Sequence, residues 1–173
     1  MRQLTGFVAA MAAAVMLTTP FGVGTGTASA DGTNTASGSA SGSRVVPLSS
    51  FLRRCDWSIE QYVPSVTRGT GYAVMSRTGN TVTAEVHMIS VTPDIWYGVR
   101  LVQVPRPSLG CGTGDPGVGF AQLFTDDAGI GTVTVTTPVM NGATGAWVSV
   151  EGPANDTQTF AGDFRTSDYI API

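Results

Sequence analysis

Gly71-Tyr72-Ala73-Val74-Met75-Ser76-Arg77 and Thr81-Val82-Thr83-Ala84-Glu85-Val86-His87-Met88-Ile89, separated by Thr78-Gly79-Asn80, decide the fold. In the second run Val82, Ala84, Val86 and Met88 share one parity, and Thr81, Thr83, Glu85 and His87 share the other. Successive side chains of a strand point to opposite faces, so this alternation buries one face and leaves the other to solvent. Thr78-Gly79-Asn80 has the chemistry of a tight turn between two such runs, and the whole reads as a β-hairpin.

The same texture extends outward on both sides. Residues 95–104 form another strand, with Tyr97, Val99 and Leu101 on the core face and Pro105 and Pro107 ending it. Residues 118–125 alternate Val118, Phe120, Gln122 and Phe124 against Gly119, Ala121 and Leu123. Asp126-Asp127-Ala128-Gly129 is a turn, and residues 130–136, 146–151 and 159–166 complete the set. About seven short strands with regularly spaced turns, and no helical periodicity, predict an all-β domain. The expected architecture is an antiparallel β-sandwich of immunoglobulin-like type, with residues 51–63 packed against it.

The beginning of the chain reads differently. Arg2 precedes an apolar, alanine-rich run over residues 4–17, and Ala28-Ser29-Ala30 supplies a small-residue cleavage site. These are the parts of a secretory signal peptide, with cleavage expected after Ala30 and a secreted, extracellular product. The apolar run is shorter than the roughly 20 residues of a spanning helix, and no membrane span is expected after cleavage. Residues 31–50 are rich in Gly, Ser and Thr and read as a flexible arm, which leaves residues 51–173 as one domain.

Export sets the reading of Cys55 and Cys111, the two cysteines of the chain: an oxidising compartment pairs them in a disulfide. Closing a loop of that length stabilises the folded state by roughly 4 kcal/mol on the chain-entropy model. All nine basic residues are arginine, against twelve acids. With the Ala/Gly/Thr/Val richness this composition points to a GC-rich, actinobacterial source. Losing Arg2 with the leader leaves eight arginines and twelve acids, a formal charge of −4. That acidic balance carries no electrostatic footprint for nucleic acid.

Motifs of site chemistry are sparse. Gly112-Thr113-Gly114-Asp115-Pro116-Gly117 matches a dinucleotide fingerprint in letters. However, it leads into a strand and not a helix, so it reads as a loop needing left-handed backbone beside the disulfide. His87 is the single histidine and sits on the solvent parity of its strand, which leaves no histidine-based metal site and no nucleophile–base pair. Asp126, Asp127 and Gly129 lack the alternating oxygens of a calcium loop and read as a turn. Asn155-Asp156-Thr157 matches a glycosylation acceptor. Neither a cofactor nor a metal is expected.

Trp96, Gly98 and Arg100 share the outward parity of their strand, so the guanidinium could stack on the indole. Trp147 and Glu151 are outward by parity on theirs. Trp96, Arg100 and Trp147 therefore make the candidate binding patch, of a composition favoured at protein-binding hot spots. The alternative is an ordinary outward face with Arg100 paired to an acid.

Several features in sequence order resemble the CHRD and Cu/Zn superoxide dismutase type of extracellular β-sandwich. They are the hairpin over residues 71–86, the Cys111-Gly112 loop, Leu123-Phe124-Thr125-Asp126-Asp127-Ala128-Gly129, and Ala146-Trp147-Val148-Ser149-Val150-Glu151. The resemblance implies the scaffold alone. Where dismutases carry metal-binding histidines, this chain has Tyr97, Val99, Arg100 and Ser149. The tail Asp163-Phe164-Arg165-Thr166-Ser167-Asp168-Tyr169 is similar to the endings of secreted actinobacterial proteins.

The expected function is that of a non-catalytic, secreted or cell-wall-associated binding or structural module, with a protein or cell-envelope ligand as its partner. One alternative is a carrier of an apolar small molecule, resembling the enediyne apoprotein sandwiches. Another is a hydrolase using carboxylates, for which Asp115, Asp126, Asp127 and Asp163 are the candidates.

Overall fold

The computed structural model describes residues 42–61, 69–153 and 163–173, and every regular element among them is a strand. The expected signal peptide, the arm as far as residue 41 and the acceptor at Asn155 lie outside the described residues. The elements are β1 (Arg44–Ser49), β2 (Leu52–Arg53), β3 (Ile59–Gln61), β4 (Thr70–Thr78), β5 (Thr81–Ile89) and β6 (Trp96–Val104). They continue with β7 (Val118–Phe124), β8 (Gly131–Pro138), β9 (Gly145–Glu151), β10 (Phe164–Ser167) and β11 (Ala171–Pro172).

The quoted hairpin forms as expected. β4 and β5 pair from Thr70↔Ile89 to Thr78↔Thr81 around Gly79, whose φ is 57°. Val82, Ala84, Val86 and Met88 are wholly buried, as are Tyr97, Val99 and Leu101 on β6. Each buried side chain of this kind stabilises the fold by roughly 1.5–3 kcal/mol, so the inward parity of a strand is strongly specified.

The all-β, antiparallel class holds throughout, since every ladder is antiparallel. One path of strands runs β7-β6-β9-β10-β1-β4-β5-β8, with β11 added on β9 and β2-β3 as a separate pair. Its two end strands, β7 and β8, lie against each other, so the expected sandwich takes a nearly closed, barrel-like arrangement. The Asp126 turn sits at that seam. It brings the chain from β7 to β8, but the ladder partner of β8 is β5. At the crossing a Cβ on Gly119 would stand 2.7 Å from the Thr136 carbonyl oxygen, so this close approach requires glycine. The buried Gln103 spans the seam: its amide N–H donates to Pro138 O (2.7 Å) and its carbonyl accepts from Met140 N (2.7 Å).

The structure corrects the domain boundary. Residues 44–49 belong to the barrel and not to the arm. Val46 and Leu48 are in the core, and β1 bridges β10 and β4. A short run of two inward aliphatics at the end of a Gly/Ser/Thr tract gives little local signal, and its burial comes from partners more than 20 residues away. Pro47 is tolerated because its carbonyl accepts from Asp168 N on the β10 side, so the N–H it lacks is not one the β4 ladder uses.

Residues 51–61 cross the outside of the barrel as a strap. Cys55 and Cys111 are joined in a disulfide, and their Cα atoms are 5.5 Å apart. They form a second, outer apolar cluster with Val102, Val104 and Trp147. The strap is held further by Arg53, whose guanidinium lies 3.9 Å from the Trp57 ring centroid, and by Trp57 Nε1 donating to Ser167 O.

Candidate functional site

The outward faces of β6, β7 and β9 form one surface, and its composition follows from the ladder register. Trp96 faces Phe124, Gly98 faces Gln122, and Arg100 faces Phe120 across β6–β7. Gly98 faces Glu151 and Arg100 faces Ser149 across β6–β9. Trp96 is 57% exposed, Phe124 45% and Phe120 44%, although each stands in the middle or at the mouth of a regular ladder. The Trp96 and Phe124 ring centroids are 5.0 Å apart at an interplanar angle of 51°, a tilted aromatic pair. The Phe120 ring leans toward Gly98: a Cβ there would meet its edge at 3.5 Å. Gly98 itself is half-buried beside that ring.

Arg100 is tied to its own face. Its guanidinium pairs with Glu151 Oε1 and also donates to Cys111 O (3.3 Å), while Ser149 Oγ donates to the same Glu151 oxygen (2.7 Å). Burial pushes the Arg100 pKa below its ordinary value, and the carboxylate beside it supplies the counter-charge. The expected pairing of Arg100 to an acid is therefore what forms. The guanidinium does not turn to Trp96, whose ring partner is Phe124.

Of the three residues in the expected patch, Trp96 and Arg100 share the exposed face and Trp147 does not belong to it. Trp147 has the outward parity read from the sequence, opposite Val102, yet it is only 2% exposed because the disulfide-tied strap covers it. Phe120 and Phe124 belong to the patch, and parity alone did not assign them. On β7 both parities are apolar or small, and size decides between them: Gly119, Ala121 and Leu123 turn inward, where the approach of β8 leaves little room.

The remaining candidates are engaged structurally, apart from Asp127, which is exposed in the turn beside Asp126. Asp126 Oδ1 accepts from Ala128 N and Ile130 N, which makes the turn an Asx-type corner. Asp115 Oδ2 accepts from Gly112 N (2.7 Å), and Gly114 and Gly117 have positive φ in the loop that leads into β7. His87 stacks on Tyr72 and pairs with Glu85 at 2.8 Å. Asp163 is buried: it accepts from Tyr97 Oη (2.7 Å) on one oxygen and from Arg165 Nη1 (2.7 Å) on the other. Burial first, and then this hydrogen bond, push the Tyr97 phenol well above its ordinary value. Asp115, Asp126 and Asp163 thus serve three different loops. Among the described residues no group of three His, Cys, Asp or Glu side chains gathers to hold a metal.

No family model, no curated protein and no solved structure matches this chain.

Proposed function

We propose that this protein is a secreted, non-catalytic binding module that takes its partner on the outer face of β6 and β7. One observation carries the reading. Trp96, Phe120 and Phe124 are held outward on a rigid ladder while the inward parity of the same strands already fills the core. Large rings left in water serve no packing purpose, and aromatic side chains on a preorganised surface are what recognition uses. Export is supported by the leader-like first residues and by the disulfide, which suits an oxidising compartment.

Co-sedimentation with purified cell envelopes tests the face. The mature chain is expected to pellet with the envelopes. The doubly substituted Trp96→Ala/Phe124→Ala protein is expected to stay in the supernatant while keeping a folded, cooperatively melting barrel with only a small fall in Tm, because each side chain is about half exposed and neither belongs to the core. Equal pelleting of the two proteins would sink the assignment.

A further inference from the structure

We infer that the ligand of this face is an uncharged polysaccharide, an inference that rests on the binding reading above. Three observations converge on it. The first is charge. Arg100 and Glu151 are the only charged side chains on the outward positions of β6, β7 and β9, and they neutralise each other. The neighbouring outward positions across the seam, Thr132, Thr134 and Thr136, are exposed hydroxyls. At the Trp96 end the loops carry Asp94, Asp126 and Asp127, which repel an anionic chain.

The second observation is alternation. Along β7 the face presents Phe124, Gln122 and Phe120: ring, amide, ring, about 7 Å between successive positions. Along β6 it presents Trp96, Gly98 and Arg100: ring, gap, guanidinium. A pyranose chain has the matching alternation, since each sugar offers an apolar C–H face to a ring and hydroxyl edges to amide, guanidinium and carboxylate. Protein-binding hot spots differ, because there the rings cluster at a desolvated centre and polar groups form the rim. Here the polar groups interleave with the rings.

The third observation is the missing side chain at Gly98. A Cβ there would stand beside the Phe120 ring at 3.5 Å and near Glu151 O at 3.9 Å. Both are ordinary contacts, so nothing in the packing demands glycine there. A position left without a side chain beside an aromatic ring and a carbonyl suits a flat sugar ring lying on the sheet.

Affinity electrophoresis of the mature chain tests the inference, in gels containing hydroxyethylcellulose, xylan or mannan as neutral polymers and polygalacturonate as the anionic one. Retardation is expected in at least one neutral gel, and it should be insensitive to salt because no net charge is exchanged. Trp96→Ala should weaken it about tenfold or more. Gly98→Ala, which the packing accommodates, should weaken it with no loss of Tm. Retardation by polygalacturonate alone overturns the uncharged ligand. So does envelope pelleting that persists without retardation in any neutral gel and is abolished by protease treatment of the envelopes; that result leaves the binding face standing with a protein partner. Absence of both retardation and pelleting overturns the two readings together.

Discussion

Tyr97 shows how much a single residue holds in this barrel. Its ring lies in the core, and its hydroxyl reaches the buried Asp163, which Arg165 neutralises while also donating to Phe164 O and Gly69 O. Replacing it with Phe removes the buried hydrogen bond from Tyr97 to Asp163 and should cost about 1–3 kcal/mol in urea unfolding. The folded phenol is raised above its ordinary 10.0, so the unfolded chain ionises first. The stabilisation is complete below pH 10.0 and declines as pH rises from there toward the folded value. Tm measured between neutral and strongly alkaline pH should therefore fall more steeply in the wild type than in Tyr97→Phe. Parallel curves would contradict the assignment. The inward parity of Tyr97 is legible in the alternation of β6. Its acid partner is not, because Asp163 is brought to it from 66 residues away.

At the scale of elements, β1 carries most of the difference between reading and structure. Without β1 the barrel loses Val46 and Leu48 from its core and leaves β4 and β10 without their shared neighbour. Each missing side chain is worth roughly 2–5 kcal/mol of a total stability that is typically only about 5–15. A protein starting at Arg44 should therefore melt like the mature chain. One starting at Phe51, the boundary that composition suggests, should show no cooperative transition by circular dichroism or calorimetry. A cooperative melt of the shorter protein would refute the place given to β1. The strap, by contrast, is anchored by a covalent bond that the cysteine count alone made legible.

For the whole molecule, the disulfide-tied barrel is compatible with the proposed export. A leader ending at Ala30 predicts an intact mass for the culture-supernatant protein that begins at Asp31 and includes one disulfide, two hydrogens lighter than the reduced chain. A secreted species that retains Met1 would contradict it. The turns and the strand alternation, which make β4 to β9 legible, are local properties of the backbone; the expected strand over residues 159–166 is described only from residue 163 on, where β10 lies. The closure of the path is not. It depends on Gly119 admitting the β8 backbone and on Gln103 tying β6 to the end of β8, two contacts between segments far apart in the chain.

By itself the sequence determined the class of the fold, the hairpin at its centre, the inward sets of β5 and β6 and the pairing of Cys55 with Cys111. These follow from the period of two that a pleated backbone imposes and from a chain with two cysteines, which admit one pairing. Only the tertiary structure decided which outward tryptophan meets water. Trp96 and Trp147 have the same parity rule and opposite fates, because parity says which way a side chain points and packing says what lies there. A strap tied by the disulfide covers Trp147, while Trp96, Phe120 and Phe124 stay exposed, and that difference separates the proposed binding face from the covered one.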